Sequence, residues 1–100
     1  MKYPIDVEVH LKAVCLNQEA DASTENFVRR YVSLINGAYY DGKSGRGAYP
    51  MDPEAEIARR SQELGISTVE DVVAEMLSII IHWMNDAYAQ GVRDAETEAA

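Results

Sequence analysis

Val69-Glu70-Asp71-Val72-Val73-Ala74-Glu75-Met76-Leu77-Ser78-Ile79-Ile80-Ile81-His82-Trp83-Met84 is the stretch whose reading decides the fold. At a helical turn of 100° per residue, continued to Gly91, its apolar positions fill an arc of about 200°. These are Val69, Val72, Val73, Met76, Leu77, Ile79, Ile80, Ile81, Trp83, Met84, Ala87 and Tyr88. Asp71, Glu75, Ser78, His82, Asn85 and Asp86 take the remaining face. A helix apolar over more than half its circumference needs cover from two sides. The spacing therefore predicts a central helix over about 68–90 in a mainly α fold. Ser67-Thr68-Val69-Glu70 ahead of it fits a capping box, with a hydroxyl for an early N–H and a glutamate reaching back.

Working outward, a second helix is expected over roughly 24–40, opened by Ser23 or Thr24. Phe27, Val28, Tyr31, Val32, Leu34, Ile35, Ala38 and Tyr39 share its apolar face. Gly37 lies in its last turn and suggests an early end. Asp41 to Asp52 carries Gly42, Gly45 and Gly47 and reads as a glycine-rich loop. A short helix then opens with Asp52 as N-cap and Pro53 at the first position, turns Ile57 and Leu64 inward, and stops at Gly65.

The N-terminal segment, residues 4–16, is open to two readings. Ile5, Val7, Val9, Leu11 and Ala13 alternate with polar residues as in a strand, while Ile5, Val9 and Leu16 also share one side of a helix. A strand would need the glycine-rich loop or another copy as neighbour, since no second strand pattern exists. The helix is favoured. It completes a compact three- to four-helix arrangement in a single domain spanning residues 1–100, with an acidic tail over 92–100 expected to fray. No internal repeat stands out.

Composition limits function. The chain has 47% hydrophobic residues, one cysteine, and 17 acidic against 9 basic side chains, a formal charge of −8. That balance disfavours direct nucleic-acid binding and attachment to an anionic membrane surface. Cys15 alone supports neither a disulfide nor a thiolate cluster, and no apolar run reaches the length of a membrane span. A cytoplasmic location is the expectation.

Gly37-Ala38-Tyr39-Tyr40-Asp41-Gly42-Lys43-Ser44 matches G-x-x-x-x-G-K-[ST], a pattern that cradles phosphates only between a strand and a helix N-terminus. Here a helix precedes it and Gly45, Gly47 and Pro50 follow, so the simpler reading is a loop. Ser78, His82 and Asp86 lie at i, i+4 and i+8 in the order of a nucleophile, a base and an orienter. A regular helix offers no oxyanion site, and a polar face with Asp86 paired to His82 is the simpler reading. No catalytic, metal-binding or cofactor-binding residue is assigned. Phe27, Tyr31, Tyr39, Trp83 and Tyr88 are expected in the core; Tyr40 and Tyr49 flank the loop and are candidate contact residues.

Charge is distributed unevenly. Residues 61–100 hold eight acids against Arg93 alone, whereas residues 1–60 hold nine acids and eight bases. Asp71, Glu75 and Asp86 lie on one polar stripe of the central helix, a row that can meet Lys and Arg on another protein. With Tyr40 and Tyr49 they form the expected partner-binding set of a non-enzymatic protein. A homo-oligomeric assembly protein that buries the excess apolar arc in a second copy is the alternative.

In size and charge the chain resembles phage-encoded inhibitors such as anti-CRISPR proteins and other nucleic-acid mimics. The resemblance implies binding to a basic surface of a host defence complex, in the host cytoplasm, so as to block target DNA. Those inhibitors share no common fold, and no residue roles carry over from them.

Overall fold

The computed structural model describes residues 2–16, 18, 19, 21–65 and 70–99. Four helices follow in chain order: α1 (Val7–Val14), α2 (Ala22–Ser44), α3 (Pro53–Leu64) and α4 (Asp71–Ala99). There is no strand among the described residues. The N-terminal alternation resolves as a helix because the Asp6 carboxylate caps it, accepting from the amides of Glu8 and Val9. Asp21 opens α2 by accepting from Thr24 N, one turn earlier than the hydroxyls of Ser23 or Thr24 would. Asp52, Pro53 and a left-handed Gly65 bound α3 as the sequence predicts. The capping box at 67–70 falls mostly outside the described residues, as does the side chain of Leu64.

Two boundaries differ from the sequence reading. Residues 41–44 belong to α2, which ends on Gly45 at φ 69°, so the expected loop begins there. The stretch 92–99, expected as a tail, continues α4: Lys43 Nζ pairs with Glu98 at 2.9 Å, and Tyr39 Oη donates to Asp94 at 2.5 Å. Both extensions carry α2 and α4 past a mutual crossing made by glycines. A Cβ on Gly42 would lie 2.2 Å from the Tyr88 carbonyl oxygen, and one on Gly91 would lie 2.1 Å from that of Tyr39. Glycine costs a helix interior about 1 kcal/mol relative to alanine. Here its missing side chain lets two backbones touch.

This reciprocity exposes an internal repeat. Asn36-x-Ala38-Tyr39-x-x-Gly42 recurs as Asn85-x-Ala87-Tyr88-x-x-Gly91, an offset of 49, and Tyr3-Pro4-Ile5-Asp6 recurs as Tyr49-Pro50-Met51-Asp52. The contacts repeat with the residues. Asn36 accepts from Ile5 N at 2.7 Å and donates to Ile5 O at 3.0 Å; Asn85 does the same to Met51 at 2.7 and 2.8 Å. Tyr3 stacks on Tyr39 as Tyr49 stacks on Tyr88. The chain is thus two helix pairs, α1–α2 and α3–α4, related by an approximate two-fold. α2 and α4 run parallel along it, since Tyr31 meets Trp83, Tyr39 meets Asp94 and Lys43 meets Glu98.

The core lies between α2 and α4, with Ile35 and Ala87 fully buried and Ala38 nearly so. Tyr31 and Tyr39 are buried and Trp83 and Tyr88 pack against them, but Phe27 is 44% exposed and leaves the expected core set. The apolar arc of α4 is covered only in part. Ile80, Ile81, Met84, Ala87 and Gly91 are buried, whereas Val72, Val73, Met76, Leu77 and Ile79 are exposed.

Candidate functional site

The uncovered amino-terminal half of α4 breaks the two-fold. Tyr31 and Val32 of α2 are buried, and so are their counterparts Ile80 and Ile81. One turn earlier the match fails: Val28 is 1% exposed and its counterpart Leu77 is 36% exposed. Val72, the most exposed of this group at 63%, stands beside Met76 and Ile79 at helical spacing on a surface that nothing in the described residues covers. Exposed apolar area gathered on one rigid element marks an interaction site more often than scattered residues do.

The carboxylates sort into engaged and unengaged groups. Asp71 and Glu75 edge the apolar surface, are exposed, and make no ion pair or side-chain hydrogen bond among the described residues. Asp86 sits on the same stripe but accepts from Tyr3 Oη at 2.9 Å. The expected pair of Asp86 with His82 does not form; His82 is exposed, and the serine–histidine–aspartate series remains a polar face. Asp94 and Glu98 are engaged with Tyr39 and Lys43, and Glu56 and Glu63 bind Arg59. Hydrogen bonds from Tyr39 and then Gln90 hold the Asp94 carboxyl below its ordinary range.

The tyrosine candidates also separate. Tyr49 is partly buried and stacks on Tyr88 at 4.4 Å between ring centroids, taking part in the repeat's packing. Tyr40 is 54% exposed and far along α2 from the uncovered half of α4. Of the five residues predicted from the sequence, Asp71 and Glu75 alone share the open face. The apolar residues beside them are readable as an arc, but their exposure is not, because the arc by itself implies burial.

The phosphate-loop pattern does not form its loop. Residues 37–44 lie inside α2, where their amide N–H groups are committed to the helix and cannot wrap a phosphate. Gly42 and Lys43 serve the helix crossing and the Glu98 pair, which accounts for their place in a phosphate-loop pattern without that loop. No group of three or more His, Cys, Asp or Glu that could hold a metal ion occurs among the described residues. Cys15 is a free thiol, half-buried. No helix among the described residues is long and apolar enough to cross a membrane.

Tyr3 offers a spectroscopic handle on the Asp86 contact. Burial first, then the bond to Asp86 and its charge, push the Tyr3 hydroxyl up to about 12. An acid whose folded pKa exceeds its unfolded one, about 10, contributes stability that is whole below pH 10 and is lost as pH rises toward 12. In a tyrosinate absorbance titration, Asp86→Asn is expected to bring one late tyrosine down while leaving it above its ordinary value, since burial remains. An unchanged titration would contradict the contact. Against this geometry, the chain matches no protein-family model, no curated protein and no solved structure.

Proposed function

We propose that the chain is a non-enzymatic binding protein that docks through the amino-terminal half of α4 onto a protein surface apolar at its centre and basic at its edge. The observation that carries this reading is the exposure of Leu77 where its counterpart Val28 is sealed. Val72, Val73, Met76 and Ile79 extend the open surface, and Asp71 and Glu75 stand along it with no ion pair among the described residues. Apolar burial supplies affinity, while exposed carboxylates at the rim select partners and speed encounter. The phage-encoded inhibitors that the chain resembles in size and charge would turn such a face to the Lys- and Arg-lined groove of a defence complex.

The test separates charge from apolar contact. The immobilised chain is used to capture partners from a lysate of its source cells, alongside Asp71→Lys/Glu75→Lys and Met76→Asp/Ile79→Asp. Both double variants are expected to stay close to the wild-type helicity and melting temperature, because all four side chains lie at exposed helix positions. The first is expected to lose at least ten-fold in partner retention and the second nearly all of it. Equal retention by all three chains would overturn the reading. Asp86 is left unchanged, since its reversal would also break the Tyr3 bond.

A further inference from the structure

The repeat supplies a partner for this face. The α4 stripe Val72, Met76, Ile79 has as its counterpart on α2 the stripe Ser23, Phe27, Arg30, which Leu34 continues. The two stripes are equally open: Phe27 is 44% exposed and Met76 is 42% exposed. Phe27, Arg30 and Leu34 line one open depression on the outer side of α2. The repeat thus sets two exposed helix faces at equivalent positions, Phe27 and Leu34 supplying the apolar part of one and Val72, Met76 and Ile79 that of the other, with opposite charge beside them. The α4 face is edged by Asp71 and Glu75. The α2 face carries Arg30, which has no carboxylate partner among the described residues, beside Arg29, which is held by Glu8 and Glu25.

We infer that the α4 face of one molecule docks on the α2 face of a second copy of this chain, forming head-to-tail assemblies. The inference rests on the reading of α4 as a docking face and names its partner. Charge selects the pairing. Two α4 faces would bring four carboxylates together without a base, and two α2 faces would set Arg30 against Arg30; α4 on α2 alone joins opposite signs. Symmetry then sets the consequence. α2 and α4 lie along the approximate two-fold, so their outer faces point to opposite sides of the molecule. An interface between unlike faces leaves one of each open at the ends and propagates until a ring closes or a filament grows.

Light scattering on the full chain, from micromolar to millimolar concentration, tests this. Wild type is expected to rise above 11.1 kDa through species larger than two chains, and to fall back as salt is raised. Phe27→Asp/Leu34→Asp removes one face and Met76→Asp/Ile79→Asp the other, so each variant alone is expected to be monomeric. Their equimolar mixture should give a two-chain complex and nothing larger, since only one productive pairing survives. Arg30→Glu, a change at an exposed position, is expected to weaken assembly at least ten-fold, and adding Asp71→Arg/Glu75→Arg should restore it.

A wild type that stays monomeric at millimolar concentration would overturn the inference, as would self-association of the Phe27/Leu34 variant. The lysate capture keeps the two readings apart. If the wild type is monomeric yet Met76→Asp/Ile79→Asp abolishes capture of a foreign protein, the docking face stands and the second copy is not its partner. If neither assembly nor capture depends on Met76 and Ile79, both fall.

Discussion

Gly91→Ala and Gly42→Ala are each expected to destabilise the protein by about 2–3 kcal/mol, lowering the melting temperature by about 10 °C or more. The direction runs against helix propensity, which favours alanine by about 1 kcal/mol at an interior position. It is reversed because the new methyl group on residue 91 would meet the Tyr39 carbonyl oxygen at 2.1 Å and Lys43 N at 3.0 Å. These are backbone atoms of another helix and cannot rotate aside, so relief requires α2 and α4 to separate where Ala38 and Ala87 are packed. Gly37→Ala is the internal control. It lies in the same helix, with nothing within 4 Å of the added carbon, and should stabilise by about 0.5–1 kcal/mol. Thermal melts of the three variants give opposite signs for the same chemical change. Stabilisation by all three would mean that α2 and α4 do not approach at these glycines.

Ile35→Ala is expected to cost about 3 kcal/mol and Ile79→Ala less than about 0.5 kcal/mol in urea unfolding of the dilute chain. The residue types are identical and both lie within helices, so only their surroundings differ. Ile35 is fully buried between α2 and α4, where truncation leaves a cavity that rigid neighbours fill only in part. Ile79 is 46% exposed on the open half of α4 and gives up little packing. If α4 docks as proposed, the cost at Ile79 is expected to rise in concentrated or partner-bound protein, because that side chain would then be covered. A cost at Ile79 as large as that at Ile35 in dilute solution would show that the amino half of α4 is covered within its own molecule.

Where the sequence spoke through local chemistry it was legible. Asp52, Pro53 and Gly65 mark both ends of α3, and the helical spacing of apolar residues marks α2 and α4. The helix ends differ from the sequence reading where a glycine serves a distant contact. Gly42 and Gly91 cost local helical stability, and the compensation comes from a backbone about fifty residues away that no window of sequence contains. The same cause hid the repeat. Asn36, Tyr39 and Gly42 are spaced like Asn85, Tyr88 and Gly91, but one set lay in what read as a helix running into a loop and the other in what read as a single helix.

The candidate site was half legible. Asp71 and Glu75 were recognisable as one stripe, yet the stripe also pointed to Asp86, whose bond to Tyr3 joins positions 83 residues apart. The wide apolar arc by itself implies cover from two sides. Among the described residues it has that cover only from Ile80 onward, and the exposure of Val72, Val73, Met76, Leu77 and Ile79 is what the docking proposal rests on.

Amide hydrogen exchange across α4, followed in dilute and in concentrated protein, bears most directly on the uncovered face. In dilute protein, amides at 75–79 are expected to exchange at least ten-fold faster than those at 84–91, which the α2 crossing protects. On concentration, slowing should appear at 75–79 and at 27–34 together while 84–91 stays as it was. Equal protection along the whole of α4 in the dilute chain would contradict the existence of an open face.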